Sequence, residues 1–135
     1  MKVIGIDIDG KDAIFCSLEN SAGAISTIDT KIHKLNLSDH TNSAEIKRFR
    51  DMVFAFFNEI NPDQVAIIKR GDAGKFAAGS VTFKIEGIIQ TYASLDVQII
   101  PLPTIKAHER KYPCPVKPKF NYQNNSCLLA NYLLK

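Results

Sequence analysis

Residues 64–68, Gln-Val-Ala-Ile-Ile, form a short and nearly continuous apolar run between two stretches that have helical periodicity. Such a run is typical of a strand that is buried on both faces at the centre of a sheet. Before it, Asn42 with Glu45 three residues later resembles a helix start, and apolar residues then recur at helical spacing. After it, residues 81–92 carry a second apolar face. The pattern therefore predicts helices packed on a central strand, which is an α/β architecture.

Strand patterns account for most of the remaining chain. Three segments precede the first helix and one follows the second: residues 2–9, 13–18, 24–37 and 97–100. The C-terminal segment has the pattern of a last helix, and residues 104–110 are compatible with an additional short one. The order strand, strand, strand, helix, strand, helix, strand, helix predicts one domain over residues 1–135, a mixed five-stranded sheet with helices on its faces.

The composition is that of an ordinary folded domain, with 45% hydrophobic and 23% charged residues. The three cysteines are widely spaced and form no CxxC pair, which argues against a disulfide framework and a zinc site. No apolar run approaches the roughly 18 residues of a membrane span, and no signal-peptide pattern precedes the first strand. We therefore expect a cytoplasmic protein with no membrane partner.

The first strand carries two acids, Asp7 and Asp9, which its alternation places on one face. An acid in the middle of a strand is costly unless it has a partner, so a functional role is the better interpretation of Asp7. Asp9 precedes Gly10, and Asp-Gly is common in hairpin turns. For Asp9 the turn is therefore preferred over a metal-binding role.

The segments VIGIDIDG and DAIFCSLE resemble the opening strands of the ribonuclease H-like superfamily, in particular its RuvC resolvase-like branch. Together with GKFAAGSVTFKIEGIIQ, the first segment is similar to a small uncharacterised bacterial family of this fold. For active members of the superfamily, the resemblance implies two divalent metal ions, Mg²⁺ or Mn²⁺. Acids from the first strand, the fourth strand and the last helix would hold them and direct water at a phosphodiester.

In this resemblance Asp7 matches the first-strand acid, and Asp9 is the residue that could join it as a metal ligand. The fourth-strand position falls on Ile68-Lys69-Arg70, and a positive charge there would repel a metal ion. The last helix offers the neutral segment 123–126, Gln-Asn-Asn-Ser, where the pattern has an aspartate pair. Glu86 is the remaining candidate for a catalytic acid beside Asp7, although an acid on the solvated side of a helix is the simpler interpretation. The pattern therefore indicates a nuclease site that has lost ligands.

Basic residues cluster mid-chain and in the late loop, and they are the candidate contacts to nucleic acid: Lys69, Arg70, Lys75, Lys84, Lys111, Lys117 and Lys119. Such clusters are also common on solvated surfaces. Tyr112, Phe120 and Tyr122 are interleaved with the late lysines, which fits a platform for single-stranded nucleic acid. The alternative is a proline-rich connector whose aromatic residues pack on the sheet.

Three functions follow from these residues. The first is a protein that binds DNA or RNA and has a degraded metal-dependent nuclease site. The second is an active Mg²⁺- or Mn²⁺-dependent RuvC-like nuclease. The third is a homodimeric interaction protein that binds no nucleic acid, in which the aspartates are structural.

Overall fold

A computed structural model of the protein describes residues 1–70 and 79–135. Its strands are β1 (Lys2–Asp9), β2 (Asp12–Ser21), β3 (Ala24–Thr27), β4 (Lys34–Asn36), β5 (Gln64–Lys69) and β6 (Val97–Pro101). Its α-helices are α1 (Ser43–Ile60), α2 (Ser80–Gln90), α3 (Leu102–Lys111) and α4 (Asn124–Leu133). A short 3-10 helix, Asn121–Gln123, leads directly into α4. None of the described helices combines the length and the apolar character that crossing a bilayer requires.

The strands form one mixed sheet in the order β3-β2-β1-β5-β6, and β4 pairs with β2 beside β3. β1 pairs with β2 in antiparallel fashion and with β5 in parallel fashion, and β5 pairs with β6 in parallel fashion. The predicted α/β class and the central position of the apolar run 64–68 are confirmed. Helices cover both faces of the sheet at β5, so the side chains on both sides of this strand are apolar.

The described sheet has six strands rather than the expected five, because the predicted strand over residues 24–37 is interrupted. Ile28 N–H still donates to Ser17 C=O, and Phe15 N–H donates to His33 C=O. The six residues 28–33 thus lie opposite only three residues of β2, and the excess chain bulges away from the sheet. The segment near residues 104–110 is a full helix, α3, so the observed order contains one more strand and one more helix than predicted.

The first helix begins as its sequence predicts. Asn42 is the N-cap, and its side chain accepts a hydrogen bond from Glu45 N–H at 2.9 Å. The helix ends where Asn61 adopts a left-handed conformation with φ 55°, before Pro62. These local signals fixed both ends because capping depends on neighbouring residues only.

The core has two layers, one on each face of the sheet. Ile4, Ile6 and Ile8 of β1 pack on the side of α1 and α2, whereas Val3 packs on the side of α3 and α4. Gly5 faces α4 so closely that a Cβ atom there would lie 2.2 Å from the Ser126 carbonyl oxygen. Because α4 packs directly on β1 at Gly5, the first turn of α4 lies near Asp7, the next residue of β1 on the same face.

Candidate functional site

Asp7 lies on the α4 face of the central strand and is only 6% exposed. Its carboxylate forms an ion pair with the guanidinium group of Arg70, the residue that follows β5. In the parallel pairing of β1 with β5, Ile6 is the partner of Ile67, so the two strands end side by side near Asp7. The sequence therefore supplies Asp7 with a cationic partner from the adjacent strand.

Alternation along β5 decides that Arg70 rather than Lys69 becomes this partner. Ile68 packs in the layer that contains α4, so Lys69, the next residue, starts from the opposite face and is exposed. Arg70 returns to the α4 side and is half-buried there. The expectation of a positive charge near Asp7 is thus realised by Arg70.

The surroundings of Asp7 act on its pKa in opposite directions. Burial raises the pKa most strongly, and the charge and hydrogen bond of Arg70 lower it. The nearby charge of Asp9 also raises the pKa, and the side-chain amide of Asn125, in the first turn of α4, lowers it. The net result is a pKa above the usual value of 3.8. The guanidinium therefore offsets only part of the cost of burying this carboxylate.

These residues do not match the donor set of a divalent metal centre. Where the resemblance implies acids on the fourth strand and the last helix, the structure places Arg70 and Asn125. Mg²⁺ and Mn²⁺ bind by preference to carboxylate oxygens, and a guanidinium has no acceptor and is always charged. Within residues 1–70 and 79–135, no group of three or more His, Cys, Asp or Glu side chains is arranged to hold a metal ion.

Asp9 is exposed and lies at the last position of β1, opposite Asp12 in the hairpin register. Gly10 has φ +59° and Lys11 has a negative φ, as in a two-residue type II′ turn. Asp12 accepts a hydrogen bond from the Asn36 side chain at 3.0 Å. The turn geometry therefore brings Asp12 to the same face as Asp9, a neighbour that the alternating pattern of β1 alone could not show. The two-residue spacing of the turn was the signal for it.

Glu86 lies apart from this cluster. The buried residues Ile85 and Ile89 place α2 in the layer opposite to the face of Asp7. Glu86 is half-buried, and burial raises the pKa of its carboxyl group. In the described ranges Glu86 forms no ion pair. The structure thus does not bring Glu86 together with Asp7, and its proposed catalytic partnership has no geometric support.

The mid-chain basic residues do not form one patch. Arg70 is paired with Asp7, and the exposed Lys69 lines a small cavity with it beside Pro101. Lys84 of α2 donates to the His40 carbonyl oxygen at 2.6 Å, which ties it to the loop before α1. Lys75 lies outside the described residues. Their proximity in the sequence predicted one cluster, but the placement of α2 separates Lys84 from Lys69 and Arg70.

The late aromatic residues separate into two groups at opposite ends of α4. Phe120 and Tyr122 stack in parallel, with ring centroids 5.2 Å apart and an angle of 7° between the planes. Tyr112 lies instead near His108, with Lys111 Nζ 5.6 Å from its ring centroid. The predicted platform is therefore reduced to the pair Phe120 and Tyr122.

Lysines lie over this aromatic pair. Lys34 Nζ is 4.6 Å from the ring centroid of Tyr122, and Lys119 Nζ is 5.6 Å from that of Phe120. Sequence reasoning missed Lys34, because it comes from β4 and is nearly 90 residues away from Tyr122 in the chain. Lys117 and Lys119 also line a cavity of about 290 Å³ between β2, the bulge and the late loop.

Residues 1–131 match the family described as "Protein of unknown function (DUF3010)". The chain belongs to this family. The match covers nearly the whole sequence, so it confirms the resemblance to an uncharacterised family that the motifs indicated. No curated protein sequence matches this DUF3010 chain significantly.

Solved structures show which fold the DUF3010 chain has. Thermus thermophilus RuvC superposes with a TM-score of 0.72 at 12% identity, over 96% of this chain and 91% of that one. T. thermophilus RuvC in complex with a Holliday junction substrate gives 0.73 at 12% identity, over 96% and 90%. The fowlpox virus resolvase in complex with Holliday junction DNA gives 0.54 at 15% identity, over the full length of both chains. At these identities the similarity establishes the ribonuclease H-like, RuvC-like fold.

Proposed function

We propose that this protein binds nucleic acid through the face that carries Asp7 and Arg70, and that it does not cleave the bound strand by metal-dependent chemistry. The observation that supports this most directly is the Asp7–Arg70 ion pair. It stands where the resemblance implies a pair of acids around a metal ion. The fold adds support, because two of the structures with this fold contain Holliday junction DNA.

A guanidinium and a divalent cation share one property and differ in another. Both are positive next to the Asp7 carboxylate, and both attract phosphate oxygens. Arginine presents five N–H donors in a planar fork that suits phosphate, and Arg70 retains exposed surface after pairing with Asp7. A guanidinium does not, however, lower the pKa of a bound water as a metal ion does. Arg70 can therefore contribute to binding without supplying a nucleophile.

Binding is tested by fluorescence anisotropy with labelled four-way junction, duplex and single-stranded DNA and RNA, all in EDTA. We expect binding at low salt to at least one probe, with an affinity that falls linearly on a logarithmic scale as salt is added. The Asp7→Asn variant should bind at least as tightly as the wild type, because it removes a negative charge near the phosphate. Absence of binding to every probe would contradict the proposal and favour a protein that does not act on nucleic acid.

Cleavage is tested with the same probes after addition of Mg²⁺ or Mn²⁺. We expect intact strands on a denaturing gel for both the wild type and Asp7→Asn. Cleavage by the wild type that Asp7→Asn abolishes would overturn the proposal in favour of an active nuclease. Equal cleavage by both proteins would identify a contaminating nuclease, and the preparation would then be repurified before the proposal is assessed.

A further inference from the structure

The stacked pair Phe120 and Tyr122 is exposed in a way that packing does not explain. Each residue is 39% exposed, although both have large aromatic side chains. The rings already lie parallel to each other, which is the arrangement that a nucleobase would extend. An exposed aromatic stack of this kind is more typical of a binding surface than of a core edge.

The backbone under the pair is fixed to the sheet through Gln123, which is buried. The Gln123 amide donates to the Phe15 carbonyl oxygen of β2 at 2.8 Å, and its oxygen accepts from Phe120 N–H at 3.0 Å. Ser126 Oγ in turn donates to the Gln123 carbonyl oxygen at 2.9 Å. The rings therefore project from a rigid support, and a ligand that stacks on them pays little ordering entropy.

The charges around the pair favour an anionic ligand. Lys34, Lys117 and Lys119 are exposed on this side, and Lys34 and Lys119 lie over the rings themselves. Asp29 lines the neighbouring cavity with Lys117 and Lys119, so two lysines face one acid there. Flexible lysines can leave the ring faces when a base stacks, and their ammonium groups can then contact its phosphates.

The pair also lies beside the Asp7 site. Asp7 is the register partner of Ile14, and Ile14 is the register partner of Lys34. Two strand spacings of about 4.8 Å place the backbone of Lys34 about 10 Å from that of Asp7, on the same face. A nucleic-acid strand whose phosphate contacts Arg70 can therefore pass directly over the aromatic pair.

We infer that Phe120 and Tyr122, with Lys34, Lys117 and Lys119, form a platform on which unpaired bases of a single-stranded nucleic acid stack. The platform rests on the proposed function and specifies its ligand as unpaired rather than fully duplex. Aromatic rings accept any base because every base has a π-face, so the platform selects single-stranded character rather than sequence.

Affinity measurements test the platform with labelled oligothymidine and with a hairpin duplex of similar charge, both in EDTA. Removing an aromatic ring costs about tenfold in affinity when a base stacks on it. We expect this loss for Tyr122→Ala on oligothymidine and little change on the duplex. Tyr112→Ala is the matched control, because Tyr112 is 57% exposed and its carbonyl oxygen accepts from Asn131 at the other end of α4. Tyr122→Phe, which keeps the ring, should restore binding, and thermal unfolding verifies that each variant is folded.

A fluorescence measurement reports stacking directly. The chain contains no tryptophan, so Tyr122→Trp introduces a unique fluorophore. Oligothymidine should quench its emission, whereas the control variant Tyr112→Trp should show no change. Unchanged emission of Tyr122→Trp with unchanged affinity of Tyr122→Ala would overturn the platform, even if Arg70-dependent binding persists. That result would favour a protein partner as the ligand of the two exposed rings. Absence of any salt-dependent binding would overturn the proposed function and the platform together.

Discussion

At the scale of single residues, the defining feature is the ion pair between the carboxylate of Asp7, on the central strand, and the guanidinium of Arg70. Asp7 is nearly buried, and Arg70 approaches it from the adjacent strand. The pKa of Asp7 stays above its usual value because burial outweighs the attraction of Arg70. The Asp7–Arg70 pair therefore affects both the local charge and the way the free energy of unfolding depends on pH.

Removing the guanidinium should raise the pKa of Asp7 further. Arg70→Met keeps a long side chain but removes the charge and hydrogen bond that lower this pKa. NMR titration of the Asp7 carboxyl carbon should give a pKa above 3.8 in the wild type and a higher value in Arg70→Met. Arg70→Lys should lie nearer to the wild type. A pKa at or below 3.8 in the wild type would show that the ion pair outweighs burial.

The same pKa predicts how stability depends on pH. The folded state holds the Asp7 proton more tightly than the unfolded chain does, so ionisation of Asp7 lowers stability as pH rises from below 3.8 through the folded pKa. Asp7→Asn does not ionise and avoids this loss. Urea unfolding across this pH window should therefore show Asp7→Asn gaining stability relative to the wild type with rising pH. A relative loss would mean that ionised Asp7 is net stabilising.

At the scale of elements, the contact between β1 and α4 positions the site. A Cβ atom on Gly5 would meet the backbone of α4, at 2.2 Å from Ser126 O and 2.7 Å from Ala130 N. A helix backbone cannot yield as a flexible side chain does. The absence of a side chain at Gly5 is therefore what allows the first turn of α4, with Asn125, to lie beside Asp7.

Gly5→Ala should destabilise the protein by about 1–3 kcal/mol through overpacking. Gly87→Ala is the matched control, because its Cβ atom meets nothing within 4 Å and Gly87 lies inside α2. That substitution should be neutral or stabilising by up to about 1 kcal/mol, since alanine favours helix. Chemical denaturation measures both variants. Equal stability of Gly5→Ala and the wild type would show that α4 can move away from β1 at no cost.

At the scale of the whole molecule, local patterns predicted more of the fold than of the site. The cap at Asn42 and the apolar run 64–68 were sufficient to predict α1 and β5. Helix starts and strands buried on both faces produce patterns among residues that are adjacent in sequence. The bulge at residues 28–33 was missed, since only its pairing with β2 distinguishes it from a continuous strand.

The site required information that no local pattern contains. The sequence placed Asp7 on the strand, but the identity of its partner depended on which face Arg70 reaches after β5. Lys34 and Tyr122 approach each other only because β4 and the 3-10 helix before α4 lie side by side in the fold. Glu86 was a candidate by residue type, and the packing of α2 on the other face of the sheet separates it from Asp7.

The most direct measurement is the affinity of Arg70→Met for labelled nucleic acid in EDTA, relative to the wild type. Arg50→Met is the matched control, because Arg50 lies in α1 on the opposite side of the sheet, is paired with Asp51, and keeps 42% of its side chain exposed. If Arg70 contacts phosphate, Arg70→Met should bind about tenfold more weakly, as expected for loss of a charged hydrogen bond. Arg50→Met should bind as the wild type does. Equal affinity of the two variants, or binding that appears only when Mg²⁺ is added, would contradict the account.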